Sequence, residues 1–395
     1  MCFRLVVGHG VSLARPYDNV WNNARQGRRV DLMSHSSPVT TGPARTAEPD
    51  AAGAAPSPRR ERDPWLDNAK FVLVALVVVG HFLTGIIRHV PAAHVLYLWI
   101  FSFHIPSFVF LAGYLSRSRS LEARALQNVV TRLLAPYLMF TAVYAVATVA
   151  WFGQNRAELI DPYWLLWFLP ALAAWRIGTP LLLNLRWTLA IALALGLGAG
   201  VFSQIGSDFT LQRIFALAPF YVLGAVVSPA LMDRLRSRAA AMTGAGVLLL
   251  ALPLTVLVRS RYENPQQWLY WNWGYDRLKV DTATGMGLRL SLYLVTAIMI
   301  FAALAVMPRA KSFITSLGAA SIYTYLLHGL LVKTLQVTGV DDRVTGIFAL
   351  VLAVALCVAA AALLASGPVR KVFRPVVEPR LRWLLRPVPT RSSGT

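Results

Sequence analysis

The feature that most constrains this chain is a series of apolar runs. Most are roughly 17–22 residues long and nearly free of charge, the length at which an α-helix crosses the hydrocarbon of a bilayer. They fall at about 70–88, 95–115, 129–152, 163–175, 187–203, 211–230, 240–258, 288–307, 313–334 and 344–366, the fourth being the shortest. The expected fold class is therefore all-α: a polytopic membrane protein built as a bundle of about ten transmembrane helices. Composition agrees, with 56% hydrophobic and 14% charged residues against about 45–50% and about 25% in soluble chains. A soluble enzyme, a disordered scaffold and an outer-membrane barrel are excluded, since barrel strands are short and alternate in polarity.

The net charge of +20 does not mark a nucleic-acid partner, because the basic residues sit between and beyond the apolar runs rather than on one face. In a membrane protein that placement sets orientation. With the N-terminus inside, most of the Lys and Arg fall on the cytoplasmic side, so the expected location is the plasma membrane with both termini cytoplasmic. Residues 1–62 form an expected disordered cytoplasmic tail, rich in Pro, Ala, Ser, Thr, Gly and Arg over 34–62. Its first residues resemble a signal peptide only weakly, and translation from Met33 is an alternative start. Residues 63–367 form the expected membrane domain. Residues 368–395 form a basic cytoplasmic tail, broken by Pro375, Pro379 and Pro387, that reads as a strip on anionic lipid. Membrane lipid is thus one expected partner. Arg117 and Arg119 read as positive-inside flanks. Cys2 and Cys357 are too few for a disulfide framework or a CxxC metal site, and no metal is expected.

Titratable groups inside a span are costly and are candidates for function by default. His81 lies eleven residues after Lys70, on the same helical face and ~16 Å further along, near the expected midplane. His104 lies about as deep in the next, antiparallel span, so the two imidazoles can converge on one cavity. Histidine suits proton transfer because its pKa of about 6.5 lies near working pH. Neither span holds an acid to pair with it, which disfavours a proton-coupled transporter. His328, with Tyr323 and Tyr325, either lines an outward-facing pocket or anchors an aromatic helix at the interface. The loop 259–287 carries Trp268, Tyr270, Trp271, Trp273 and Tyr275 beside Glu263, Asp276 and Asp281. Trp271, Trp273 and Asp276 suit a carbohydrate acceptor, through ring stacking and carboxylate bonds to hydroxyls; an aromatic belt at the headgroups is the alternative.

The segment LDNAKFVLVALVVVGHF (66–82) resembles the opening helix of the acyltransferase-3 superfamily of integral membrane acyltransferases. Members there carry a basic residue, ten intervening residues and a histidine, and the Lys variant resembles the fucose 4-O-acetylase-like branch. FSFHIPSFVFLAGYLSR (101–117) is similar to the family's second helix, with Ala112 where Ser is commoner. TRLLAPYL (131–138), WLLWFLPALAAWR (164–176) and SIYTYLLHGLLVK (321–333) resemble later segments in the same order.

The resemblance implies transfer of an acyl group, usually acetyl, from acyl-CoA to a hydroxyl of a sugar, glycan or glycosylated metabolite. Acyl-CoA is then a co-substrate rather than a bound cofactor, and a carbohydrate is the acceptor. It implies His81 as general base or transient acyl carrier, with His104 orienting the acceptor. Lys70 and Arg132 would hold the CoA phosphates, and Asp67 would position Lys70 as its i, i+3 neighbour. Two other classes compete. A secondary transporter of a polar solute or lipid-linked sugar lacks its usual intramembrane carboxylate here. A polyprenyl-dependent glycosyltransferase lacks its acid in the loop 89–94.

Overall fold

The computed structural model describes residues 62–118, 120–202, 210–381 and 383–385. The expected tail over 1–61, Cys2, Arg119, Arg382 and Arg386 lie outside them. Among the described residues the chain is helical with no strand; a single isolated bridge joins Glu158 and Pro162. Every expected span has a helical counterpart. The helices are α1 Pro64–Ile86, α2 Pro91–Phe101, α3 His104–Leu115, α4 Ala123–Val129, α5 Ala135–Phe152, α6 Phe168–Leu182, α7 Thr188–Gly198 and α8 Leu211–Val226. They continue with α9 Pro229–Arg234, α10 Arg238–Arg261, α11 Gln266–Leu269, α12 Thr282–Ala305, α13 Phe313–Gly318, α14 Ser321–Val337, α15 Gly346–Leu364 and α16 Gly367–Val377. Seven helical segments are long and apolar enough to cross a bilayer, whereas α7 and α8 are apolar but shorter.

Helix α1 starts six residues before its apolar run because Asp63 caps it, accepting from the Trp65 amide, and Pro64 fills the first turn. His81 consequently stands only five residues, ~8 Å, from the C-terminal end of α1, beyond the expected midplane. The expected second span is broken at Ser102–Phe103 into α2 and α3. Pro106 has no N–H for the Ser102 carbonyl, and the Ser102 hydroxyl turns back to the Trp99 carbonyl at 2.7 Å. In the third span Val130–Leu134 forms a π-turn that carries Arg132. Pro136 removes the bond that the Arg132 carbonyl would otherwise accept, and Ala135 bonds back to Val130 instead.

The helices pack through small residues. A Cβ at Gly113 would overlap the Tyr221 carbonyl oxygen, and one at Gly224 would overlap that of Phe110, so α3 and α8 meet backbone to backbone. Asn68 docks α1 onto the turn before α13 by donating to the Pro308 and Ala310 carbonyls, each at 2.9 Å. Buried apolar side chains form two clusters, one spread over most of the bundle and one among α1, α2 and α15. Leu76, Trp99 and Trp164 touch both and mark the seam between them.

The C-terminal segment is not broken at Pro375 as expected. Gly367–Val377 is helical through Pro375, because Val369, Phe373 and Val376 form an apolar face seated on the bundle. Arg370 lies over the Tyr323 ring, 5.9 Å from its centroid. The opposite face holds Lys371 and Arg374, the pattern of a helix lying at a membrane surface.

Candidate active site

A cavity of about 1490 Å³ opens at the end of the bundle that carries the N-terminus of α1. Asp63 and Arg117 line its mouth, and Val77, Phe108, Phe168 and Tyr325 line its inner part. From Asp63 to Val77 it follows α1 for ~21 Å. Its wall is basic. Lys70 and Arg132 both line it, together with Asp67, so the three residues expected to bind the donor share one cavity. Lys70 Nζ forms an ion pair with Asp67 at 2.5 Å, the expected i, i+3 contact. Arg176 lines the same cavity within charge-interaction range of Arg132. Its Nε is buried without a hydrogen-bond partner. The sequence reading takes Arg176 only as part of a family-like segment; an Arg closing an apolar run next to the core residue Trp175 is the signal for it.

Beyond the inner end of this cavity lies a cluster of imidazole and indole rings. Val77, on the cavity wall, is one turn before His81, and the Tyr325 ring is 6.3 Å from that of His328. His81 Nδ1 and His328 Nε2 are 2.9 Å apart, a pairing the sequence does not reveal across 247 residues. The Trp164 ring stacks on His81 with centroids 4.7 Å apart. Trp164 adopts a φ of 45°, a region bulky residues avoid, so this contact is held against backbone strain.

Hydrogen bonding fixes the proton positions. His328 Nδ1 lies 3.0 Å from the Thr324 carbonyl, which can only accept, so Nδ1 carries the hydrogen. In neutral His328, Nε2 is then an acceptor, and His81 Nδ1 must donate to it. His81 Nε2 is left with its lone pair. The side chain is only half-buried, so a substrate can reach it.

His104 opens α3 and is wholly buried. Its Nδ1 donates to the Ile100 carbonyl at 2.8 Å, leaving Nε2 an acceptor without a partner. It lies within charge-interaction range of His81, with the Phe101 ring 4.6 Å from its own. His81 therefore takes His328, rather than His104, as its direct partner. Tyr325, expected on an outward-facing pocket, lines the basic cavity and donates to the Leu165 carbonyl.

Arg213 completes the cluster. It stands in the first turn of α8, inside an expected span, where an arginine is itself a functional signal. Its guanidinium lies over the Trp167 ring at 4.7 Å, and its Nε donates to the Tyr270 carbonyl at 3.3 Å. Burial pushes the Tyr270 phenol above its ordinary value, with Tyr97 and Arg213 opposing, so it remains a neutral donor.

The structure does not bring the loop residues Trp271, Trp273 and Asp276 to the histidines. Trp271 is 2% exposed and stacks on Tyr293 at 5.1 Å, with Phe220 against its edge. Trp273 carries Arg277 over its ring, and its carbonyl accepts from Arg289 at 2.7 Å. Asp276 faces solvent. The loop reaches the central cluster through Tyr270, whose hydroxyl is 3.0 Å from that of Tyr97.

Comparison with known proteins places this arrangement. The chain is 30% identical over 131 residues to the nodulation protein NolL of Mesorhizobium japonicum, covering 29% of this chain and 35% of that one. It is 30% identical over 135 residues to NolL of Sinorhizobium fredii, covering 30% and 37%. The match thus spans little more than a third of those relatives' length. No solved structure matches. The family model of the acyltransferase domain matches residues 63–365, which takes in most of the basic cavity, His81, His104 and His328, and the loop. The chain belongs to the acyltransferase-3 family.

Proposed function

We propose that this protein is a membrane O-acyltransferase that moves an acyl group, acetyl foremost, from acyl-CoA to a hydroxyl of a sugar or glycan, with His81 Nε2 as general base. One observation carries the reading: the chain from the Thr324 carbonyl through His328 to His81 leaves a lone pair on His81 next to the inner end of a basic cavity. The same logic of an orienting partner that sets the tautomer of a base underlies Ser-His-Asp catalysis. Here a second imidazole and a carbonyl take the place of the carboxylate.

Acyl-CoA enters from the cytoplasm, the side to which the Lys and Arg distribution assigns this cavity. Arg132 and Arg176 hold its phosphates, with Lys70 kept in place by Asp67. The pantetheine arm runs past Val77 and Tyr325, bringing the thioester to His81. The acceptor comes from the other end of the bundle alongside the exposed edge of Trp164. His81 takes the hydroxyl proton, the oxygen attacks the thioester carbon, and the thiolate leaves with that proton. His104, buried behind His81 with its Nε2 unpaired, orients the acceptor once a hydroxyl group enters to meet that nitrogen.

The test is incubation of membranes containing the protein with acetyl-CoA radiolabelled in the acetyl group. Label is expected in alkali-labile esters of the saccharide fraction. Uptake of an intact solute without ester formation would favour the transporter class and overturn the reading. Alkaline phosphatase fused after Thr395 is expected to be inactive, and fused within residues 263–280 active. The reverse pattern would overturn the entry side of the donor.

A further inference from the structure

Attack on a thioester places a negative charge on the carbonyl oxygen, and enzymes of this kind need donors fixed where that charge develops. Most donors around His81 are committed elsewhere. His81 Nδ1–H goes to His328, His328 Nδ1–H to the Thr324 carbonyl, and His104 Nδ1–H to the Ile100 carbonyl. The Tyr325 hydroxyl goes to the Leu165 carbonyl. Two cations lie within charge-interaction range of His81, Lys333 and Arg213. Lys333 sits over the Trp164 ring at 5.1 Å and donates to Gln336 at 3.2 Å. It is within range of Arg156 and Asp341 at the end of the bundle away from the basic cavity.

Arg213 stands between the two ends: it lies within charge-interaction range of Asp161 and Tyr270 on the loop side and of Tyr325, which lines the basic cavity, on the other. The Trp167 face and the Tyr270 carbonyl hold its guanidinium in place through one edge and Nε, leaving its terminal nitrogens to a ligand. Asp161 is the strongest charge acting on it, though no ion pair joins the two among the described residues. It keeps accessible surface although it stands among core side chains.

We propose that Arg213 is a further catalytic residue, the guanidinium that binds the thioester carbonyl oxygen and stabilises the oxyanion formed when the acceptor hydroxyl attacks. This rests on the acyl-transfer reading above. As the acceptor oxygen bonds to the carbonyl carbon, His81 Nε2 takes its proton and the carbonyl π electrons move onto oxygen, facing Arg213. When the C=O bond re-forms, the C–S bond breaks and the CoA sulfur recovers the proton from His81.

The experiment measures release of CoA thiol from acetyl-CoA by full-length protein in native membranes, alongside CoA binding by the purified protein. Arg213→Gln is expected to lower kcat by roughly 10²–10³-fold, with KM for acetyl-CoA and CoA affinity within about threefold of wild type. Arg213→Lys is expected to recover part of the loss. Guanidinium ion added to Arg213→Ala is expected to restore turnover in a saturable manner, which a merely structural role does not allow. A kcat within threefold of wild type in Arg213→Gln overturns the proposal, as does a loss confined to KM. Failure of both Arg213→Lys and guanidinium to restore any turnover in folded protein also overturns it. His81→Ala measured in parallel separates the two claims. If His81→Ala is dead while Arg213→Gln is active, the base survives and the oxyanion role falls; if His81→Ala turns over normally, the base assignment falls, and only a wild-type protein that releases no CoA thiol overturns the acyl-transfer reading.

Discussion

Two aromatic-rich regions of this molecule look alike in sequence and behave differently in structure. The loop 262–281 concentrates Trp, Tyr and acids, and its composition invites a carbohydrate. Yet Trp271 is spent on Tyr293 and Phe220, and Asp276 stands in solvent. The segment at Trp164 is as rich in rings, with Tyr163, Trp167 and Phe168 beside it, but its indole stacks on His81 and keeps exposed surface. Aromatic content marks where rings are, whereas a binding site is marked by faces and polar atoms left unused. A ring fully covered by its neighbours has nothing left to offer a ligand.

The contrast can be broken by substitution. His328→Ala removes the acceptor that fixes the His81 tautomer and is expected to lower acyl transfer by about 10²-fold or more with folding intact. Loss of less than threefold would show that His81 needs no partner. Arg132→Gln and Arg176→Gln each remove a charge-assisted donor from the cavity and are expected to raise KM for acyl-CoA about tenfold at nearly constant kcat. A fall in kcat alone would place them in the chemistry instead. Trp164→Ala is expected to cost several-fold in kcat/KM per folded molecule. Trp271→Ala is expected to destabilise the fold by about 3–5 kcal/mol, read as a lowered Tm, while activity per folded molecule stays constant. Equal activity losses in the two Trp variants would erase the distinction between the regions. The smallest effects belong to Trp273→Ala and Asp276→Ala, whose transfer kinetics are expected to stay within a factor of two. A selective loss of transfer to saccharide there would return the acceptor to the loop.

Much of the fold was legible because bilayer physics writes it as run length. Even the break at Ser102–Phe103 had a local signal in Pro106, four residues after the carbonyl it leaves unpaired. The basic cavity was legible through the family resemblance together with local spacing: Asp67 and Lys70 are near neighbours on one turn, and Arg132 opens the third apolar run near Pro136. The His81–His328 pair was not, since α1 and α14 meet only through tertiary packing and no spacing encodes it. Arg213 is absent from the sequence reading, although an arginine within the apolar run 211–230 was a signal for it. The seated α16 was hidden by Pro375, whose lost hydrogen bond is outweighed by three apolar side chains on the bundle.

The most direct measurement is acetyl transfer from acetyl-CoA by His81→Ala, normalised to protein that is correctly inserted and still binds CoA. Removal of a positioned general base is expected to cost about 10²–10⁴-fold in kcat with KM for acetyl-CoA little changed. Turnover within threefold of wild type in that variant would contradict the assignment of His81 as the base.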